Sequence, residues 1–255
     1  MRTGQETGCA GFCRDCGQEH FLPAAPAYRA CLELMDELAG NGSVYQDPAA
    51  QTADEDFSTS SLFGNSRGKM FGVMVARTPD GRTTAVRAFS GQYNGAWQVP
   101  GWVGPVFDLA AFHRVHDAEE RKIKELGRRL EEEVHGSTEQ RRLITLRKQL
   151  SRQLMARIHG LYRLKNFAGQ AASLGELFSQ DRGIPTGTGD CCAPKLLQYA
   201  VEHELIPFGL AEFYWGKSSR SGVRRHGAFY SSCHSKCYPI LGFMLCGLEG
   251  RSRHG

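Results

Sequence analysis

Alternating apolar and polar residues predict a β-hairpin in the first half of the chain. The runs KMFGVMVAR and TTAVRAFSG are rich in β-branched and aromatic residues, and the turn sequence TPDG separates them. In the first run Phe71, Val73 and Val75 alternate with their neighbours, so they should lie on one face of a sheet. The next segment, GQYNGAWQVPGWVGPVFD, contains too many Gly and Pro residues for a helix and predicts a shaped loop.

Apolar residues at three- and four-residue steps predict helices elsewhere. The segment PAYRACLELMDELAG has this spacing up to Leu38, with Gly40 placed to end the helix. Residues 117–168 carry two such stripes, interrupted at His135 and Gly136, and Ser137 or Thr138 can cap the second. This segment predicts two antiparallel helices, whose stripe serves core packing or a dimerisation arm.

The final third of the chain mixes both element types. A Gly-rich loop, GIPTGTGD, precedes the helix CCAPKLLQYAVEHEL, the strand LAEFYWG and a second helical segment in CHSKCYPILGFMLCG. The order of elements predicts a mixed α/β fold of the α+β type. The expected portions are 1–40 (a Cys/His knot and a helix), 60–116 (β-hairpin and Gly/Trp-rich loop), 117–168 (helical hairpin) and 169–255 (Cys-rich), with 60–255 forming one domain into which the helical hairpin is inserted.

Composition indicates a globular protein and narrows the role of its cysteines. The 255 residues are 41% hydrophobic and 23% charged, and no segment approaches the run of about 18 apolar residues that a membrane span needs. The N-terminus lacks the apolar stretch of a signal peptide, so we expect a cytoplasmic protein with reduced thiols. Nine cysteines, most of them clustered, then favour metal binding over disulfides, whereas Cys31 and Cys246 stand apart and predict buried apolar packing.

Positive charge is concentrated in two segments. Residues 121–165 contain 13 Lys and Arg against five Glu, a net charge of +8, and a second basic run covers 217–227. Such an excess suits RNA, although neighbouring glutamates could equally balance a solvated helix face. The candidate RNA-binding residues are Arg128, Arg129, Arg141, Arg142, Arg147, Lys148, Arg152, Lys217, Arg220, Arg224 and Arg225. Tyr93, Trp97 and Trp102 could stack on bases, or could pack beneath their loop.

A first candidate metal site lies at the N-terminus. Its residues follow the pattern Cys9-x3-Cys13-x2-Cys16-x3-His20, in which the Cys-x2-Cys-Gly step permits the tight turn of a zinc knuckle. Four such ligands would close a tetrahedral structural site. Free thiols are the alternative, and the spacing also matches the cluster motif of radical S-adenosylmethionine enzymes, although Asp15 stands where those enzymes carry an aromatic residue.

A second candidate site combines Cys233 and Cys237 with Cys191 or Cys192. Both segments should begin helices, whose N-termini favour ionised sulfur. His226 or His234 could supply a fourth ligand, which would make the site structural, whereas three protein ligands would leave a catalytic position open. One or two zinc ions are therefore expected in the whole chain. A further possibility is a nucleophilic cysteine activated by His203 or His226.

Residues 187–237 are similar to the zinc deaminase fold. CCAPKLL resembles the Cys-Ala-Glu-Pro-Lys variant of some bacterial deaminases, in which the Glu shuttles protons beside a zinc held by cysteines. Ala193 occupies the position of that Glu here, and three residues instead of two separate Cys233 from Cys237. Asp190 and Glu212 are the candidates for the missing acid.

A broader resemblance covers most of residues 60–248. The phrases GKMFGV, AFSGQYNG, TGTGDCCAPKLLQYA and FYSSCHSKCYPILG resemble the region preceding the catalytic domain of long bacterial RluA-type pseudouridine synthases, and stand-alone relatives of that region. The catalytic Asp motif of that family is absent, since the nearest string, YRLKN at 162–166, has no acid. The resemblance implies RNA modification and a partner RNA-modifying enzyme.

Two functions are therefore expected, and they differ in the state of the second metal site. The first is a zinc-containing RNA-binding or accessory module, for which that site would be closed by four protein ligands. The alternative is a zinc-dependent, deaminase-like hydrolase acting on a nucleobase or nucleotide. An open metal position beside an acid in a cavity would separate the second from the first.

Overall fold

A computed structural model describes residues 7–45, 57–64, 68–178 and 183–252 of the chain. It divides into two compact units, one made of residues 1–106, 164–172 and 187–255 and the other of residues 107–163 and 173–186. Of the helical hairpin predicted over 117–168, residues 117–163 fall in the second unit and 164–168 in the first. The described part of 1–40, expected as a separate portion, belongs to the first unit. Within the described ranges, no helix has the length and apolar character that crossing a membrane requires.

A four-stranded antiparallel sheet forms the centre of the first unit. Its strand order is β4-β3-β7-β8. The strands are β3 (Lys69–Arg77), β4 (Thr83–Phe89), β7 (Ile206–Trp215) and β8 (Phe229–Tyr230). The predicted hairpin is thus confirmed, and Phe71, Val73 and Val75 share one face, which packs on helix α1 (Tyr28–Asn41) to form the main core. The helix ends two residues later than predicted, because Gly42, and not Gly40, adopts the left-handed conformation that terminates it.

The opposite face of the sheet carries helix α5 (Cys192–Glu202). The helix approaches closely at Gly72, where a Cβ would lie 2.7 Å from the Cβ of Cys192 and 3.3 Å from the Cγ of Glu212. Gly72 and Glu212 are paired across β3 and β7, so both belong to this helix-covered face. Glu212 is therefore held between the sheet and the start of α5.

The N-terminal Cys/His segment is a β-hairpin. Strands β1 (Gly8–Cys13) and β2 (Gln18–Pro23) pair antiparallel, and β1 packs against helix α6 (Tyr238–Leu245). The backbones meet at two glycines: a Cβ on Gly11 would lie 2.1 Å from the nitrogen of Gly242. Side chains larger than hydrogen are excluded at this crossing.

The second unit is built on two long helices. Asp108 caps the N-terminus of helix α2 (Leu109–Glu132). Ser137 caps the N-terminus of helix α3 (Thr138–His159), and its hydroxyl accepts from the backbone N–H of Gln140. Ile123, Leu126, Leu143, Leu154 and Ile158 are buried, so the predicted stripe is a packing seam. Val134, just before the break at His135, is exposed and lies outside this seam. The described residues also form β5 (Arg163–Lys165), β6 (Ala171–Ser173), α4 (Leu174–Leu177), α7 (Leu248–Ser252) and two short 3-10 helices (Ala25–Ala27 and Thr59–Phe63).

The Gly/Trp-rich loop contributes to the core. Tyr93 and Trp102 are buried; the Tyr93 hydroxyl donates to the Ser58 carbonyl, and the Trp102 indole donates to the Val44 carbonyl. Base stacking by these two rings is therefore excluded in this conformation. The alternative interpretation, that these rings pack beneath the loop, is confirmed for Tyr93 and Trp102.

We expect Gly11→Ala to destabilise the protein by about 1–3 kcal/mol, since the added methyl would overlap the backbone of α6. Gly40→Ala is the matched control: the site lies within α1 with no other heavy atom near the added methyl, so the change should be neutral or stabilising by up to about 1 kcal/mol. Urea unfolding midpoints measure both effects. Equal stability of Gly11→Ala and the wild type would contradict the packing of β1 on α6.

Candidate metal centre

Three cysteines converge at the starts of two helices. Cys191 precedes α5, Cys237 precedes α6, and Cys233 lies four residues before Cys237, its carbonyl accepting from the Cys237 N–H at 3.2 Å. Their sulfur atoms lie within 4.8 Å of one another. Ligands of a tetrahedral zinc site are about 3.8 Å apart when the zinc–sulfur bonds are about 2.3 Å long, so this rear group could hold one metal ion.

The structure selects Cys191 over Cys192 for this rear group. Cys192 is completely buried on the sheet side of α5, and its thiol donates to the carbonyl of Met70 at 3.4 Å. Cys191, at the residue before the helix, turns instead toward Cys233 and Cys237. Adjacent cysteines at a helix start point in different directions, and only one of them can join the group.

Hydrogen bonds among the rear sulfurs shift their proton affinities in opposite directions. Hydrogen bonds to Cys233 and Cys237 raise the pKa of Cys191, and hydrogen bonds from Cys191 and Cys237 lower the pKa of Cys233. The three thiols are thus close enough to hydrogen-bond to one another. A metal ion would replace those protons, because thiolates are the form of cysteine that binds metals.

A cavity of about 500 Å³ opens beside the rear group. Cys191, Cys233 and the carboxyl-bearing Glu212 all line it. Among the described residues, no His and no carboxylate joins the three sulfurs as a fourth ligand. The described residues thus supply three ligand atoms to this group.

Glu212 is a buried acid in an apolar strand. It is only 4% exposed; Ser232 donates to its Oε1 at 2.7 Å, and the backbone N–H of Ala193 donates to its carboxylate. Burial raises the pKa of Glu212 to about 7. Ser232 is also hydrogen-bonded to the buried Cys9 of β1, so the N-terminal strand helps to hold the carboxyl group in place.

The candidate histidines do not join the rear group, and the Asp190 carboxylate lies beside Gly187 at the edge of the cavity. Asp190 does not line the cavity. His226 accepts from the N–H of Gly216 at 3.1 Å and packs on Trp215, and His234 packs on Tyr238; neither joins a metal group, so both fourth-ligand expectations are corrected. His203 stacks on Tyr199, and this contact does not favour a role for its ring as an activating base.

A second group forms around the N-terminal hairpin, with one change of ligand. Cys13, Cys16 and His20 are joined by Cys246, the residue that follows α6, and their ligand atoms lie within 4.8 Å of one another. Cys9, expected here from the spacing, lies outside this front group. The reason is strand geometry: Cys9 and Cys13 are both turned inward, but four residues of extended strand hold them about 13 Å apart along β1. Cys246 is buried, as expected, and its sulfur also lies within reach of the other three ligand atoms.

The candidate RNA-binding residues differ in whether they have an acidic partner and in whether they line the cavity. On the helical hairpin Arg128 pairs with Glu125, and Glu139 pairs with both Arg129 and Arg142. For Arg141, Arg147, Lys148 and Arg152, the described residues supply no acidic partner. In the basic run 217–227, Arg220 and Arg224 line the cavity beside the rear group, whereas Lys217 and Arg225 do not.

Several residues of the candidate site are marked only weakly, or not at all, by the sequence pattern. Glu212 interrupts an otherwise apolar strand, which is a recognisable sign of a buried functional acid. Lys69 and Lys236, which also line the cavity, lie in a strand and a loop with no distinguishing pattern. Cys246 becomes a ligand candidate only because α6 packs on β1, and no local pattern reports that contact.

Comparisons of the chain with protein-family models, with curated proteins and with solved structures gave no match.

We expect the purified protein to contain two metal ions per chain, as measured by elemental analysis. Cys246→Ser should reduce the content to one, because it removes one of four front ligands, and Cys233→Ser should reduce it to one by disrupting the rear group. Cys31→Ser is the control, since Cys31 belongs to neither group. A wild-type protein without metal, or a Cys246→Ser variant that keeps both ions, would contradict this assignment.

Proposed function

We propose that the rear group binds a zinc ion and that the protein is a zinc-dependent hydrolase of the deaminase type acting on a nucleobase or nucleotide. The observation that carries the proposal is the position of Glu212: a buried carboxyl group in the wall of the cavity onto which Cys191 and Cys233 also open. Sulfur ligands favour zinc over magnesium or calcium, and three-ligand zinc sites are characteristic of catalysis.

Three features of the rear site support hydrolysis. A zinc ion with three protein ligands supplies a Lewis acid and activates water at its open position. Glu212 lines the same cavity as Cys191 and Cys233, and its carboxyl group could take up and release one proton, as a general acid–base group must. Ser232 and the Ala193 N–H hold its carboxylate in one orientation.

The deaminase reaction fits these groups. Water oxygen forms a bond to the amino-bearing ring carbon, the carbon–nitrogen bond breaks, and ammonia leaves. Glu212 carries one water proton to the departing amine, and the second proton ends on the adjacent ring nitrogen. The local resemblance of residues 187–237 to zinc deaminases supports this choice. The Glu expected at position 193 is absent, and Glu212 of the neighbouring strand would take its place against the backbone of Ala193.

Ammonia release from a panel of amino-bearing nucleobases, nucleosides and nucleotides tests the proposal. We expect Glu212→Gln to lower kcat by roughly 10²- to 10⁴-fold because it removes the proton carrier, with two metal ions retained. Glu249→Gln, at an exposed position on α7, is the control and should leave kcat unchanged. No turnover of any panel member, or a rear metal shown by X-ray absorption to have four protein ligands, would overturn it.

The second unit favours a second candidate function, RNA binding, which agrees with the resemblance to the RluA-type proteins. Arg147, Lys148 and Arg152 of α3 line one cleft of about 350 Å³ with Leu130 and Ile144. These three cations have no acidic partner among the described residues. Unpaired cations at the edge of an apolar cleft suit phosphates of a nucleic acid strand.

The combined change Lys148→Gln and Arg152→Gln should weaken RNA binding and reduce the slope of log affinity against log salt by about 2, one unit for each lost phosphate contact. Arg128→Gln and Arg142→Gln together form the matched control, because both arginines are already paired with glutamates. Filter binding or fluorescence anisotropy at several salt concentrations gives both slopes. Equal losses in the two variants would contradict a specific role of the cleft.

A further inference from the structure

We propose that the cavity beside the rear group contains a phosphate-binding subsite formed by Arg220, Arg224 and Lys236, and that its ligand is a nucleoside monophosphate. The assignment of this ligand as substrate rests on the proposed hydrolase function. The binding itself depends only on the cavity.

The charge of the cavity wall points to an anion. Among the described residues, four cationic side chains line it, from Lys69, Arg220, Arg224 and Lys236, together with the carboxyl group of Glu212; the Asp190 carboxylate lies beside the lining residue Gly187. The hydroxyls of Ser90, Ser219 and Ser235 complete the polar lining. Arginine forks and serine hydroxyls are the side chains that bind phosphate with charge-assisted hydrogen bonds. An anionic ligand would complement the charge of this lining, whereas a cationic ligand would be repelled by it.

The loop that carries the two arginines is held by its own hydrogen bonds. The Ser219 N–H donates to the Arg224 carbonyl, and the Arg224 N–H donates to the Ser219 hydroxyl, both at 3.1 Å. The Tyr230 hydroxyl of β8 donates to the Val223 carbonyl, and the Arg224 guanidinium lies over the Tyr230 ring at 5.6 Å. These contacts reduce the number of positions open to Arg224, so less freedom is lost when it binds an anion.

Lys236 approaches the same cavity from a different part of the chain. It lies between Cys233 and Cys237, in the turn that leads into α6. Cations from the loop after β7 and from the turn between Cys233 and Cys237 would therefore bind a phosphate in the same cavity as the proposed metal. The phosphate bound by these cations and the reactive ring at the proposed metal would then belong to one small molecule.

Cavity size and charge distribution favour a mononucleotide over a nucleic acid strand. A cavity of about 500 Å³ is in the usual range for small-molecule sites of roughly 300–1,000 Å³. Lys217 and Arg225, at the two sides of the same loop, are exposed and lie outside the lining. Arg220 and Lys236 are exposed as well, but unlike Lys217 and Arg225 they line the cavity, so the cations that can reach its ligand belong to one site of small-molecule size.

Isothermal titration of the metal-loaded full chain tests the subsite, with cytidine 5′-monophosphate, cytidine and a ten-residue cytidine oligonucleotide as probes. We expect the monophosphate to bind at least tenfold more tightly than cytidine. Arg220→Gln and Arg224→Gln should each reduce monophosphate affinity by about tenfold, and the double variant should bind both probes equally. Lys236→Gln should show a similar loss, and because it lies outside the arginine loop it controls for misfolding of that loop.

Arg225→Gln is the matched control, since it removes a neighbouring arginine that does not line the cavity, and it should bind the monophosphate as the wild type does. The same affinity for monophosphate and cytidine in the wild type would overturn the subsite, as would an unchanged affinity in the double variant, which would place the phosphate on the metal alone. Tighter binding of the oligonucleotide that depends on the same arginines would overturn the mononucleotide assignment.

These results separate the two proposals. Arginine-dependent binding of the monophosphate without ammonia release from any substrate would leave the subsite in place and refute the hydrolase. Ammonia release with the same kcat/KM for cytidine and its monophosphate, unaffected by the arginine variants, would retain the hydrolase and refute the subsite.

Discussion

The close contact of helix α5 with the sheet at Gly72 determines where the chemistry of the first unit can occur. Because Gly72 has no side chain, Cys192 and Glu212 occupy the space above it, and the first turn of α5 lies directly over β7. Cys191 is then carried to the edge of the helix, where α6 presents Cys237. A side chain at position 72 would push α5 away and separate Cys191 from the carboxyl group of Glu212.

Burying Glu212 has a cost that the surrounding groups offset only in part. A carboxylate removed from water loses several kcal/mol of solvation unless it is hydrogen-bonded, and Ser232 and the Ala193 N–H provide such bonds. The remaining desolvation appears as the pKa of Glu212, raised to about 7. A structural role would be served better by an apolar residue in this strand, and the retained acid beside three cysteines is what a proton-transfer site requires.

Two lysines hold the segment that borders the cavity. Lys195, which is 1% exposed, donates to the carbonyls of Phe89 and Gly91, and Lys69 donates to those of Ser90 and Gln92. Four successive carbonyls are thus bound by ammonium groups that have three donors each. The chain after β4 is fixed in a course that regular strand pairing would not give it, and Ser90 is placed in the cavity wall.

Local sequence patterns determined the elements but only part of the site. Alternation predicted β3 and β4, helical spacing predicted α2 and α3, and clustering of cysteines pointed to both metal groups, because periodicity and short spacings are properties of neighbouring residues. The bounds of the Cys/His segment were recognised, but not its hairpin form. Cys191 and Cys192 could not be distinguished, since the choice depends on which of two adjacent side chains faces the sheet.

Tertiary structure decided everything that joins distant segments. The exchange of Cys9 for Cys246 follows from the packing of β1 on α6 at Gly11 and Gly242, a contact between residues more than 200 positions apart. The approach of Glu212 to Ala193 follows from the contact of α5 with the sheet, and the entry of Arg220 and Arg224 into the cavity follows from the turn after β7. The sequence by itself determined which residue types were available and which elements they form. Only packing, which acts between surfaces and not along the chain, determined which of them meet.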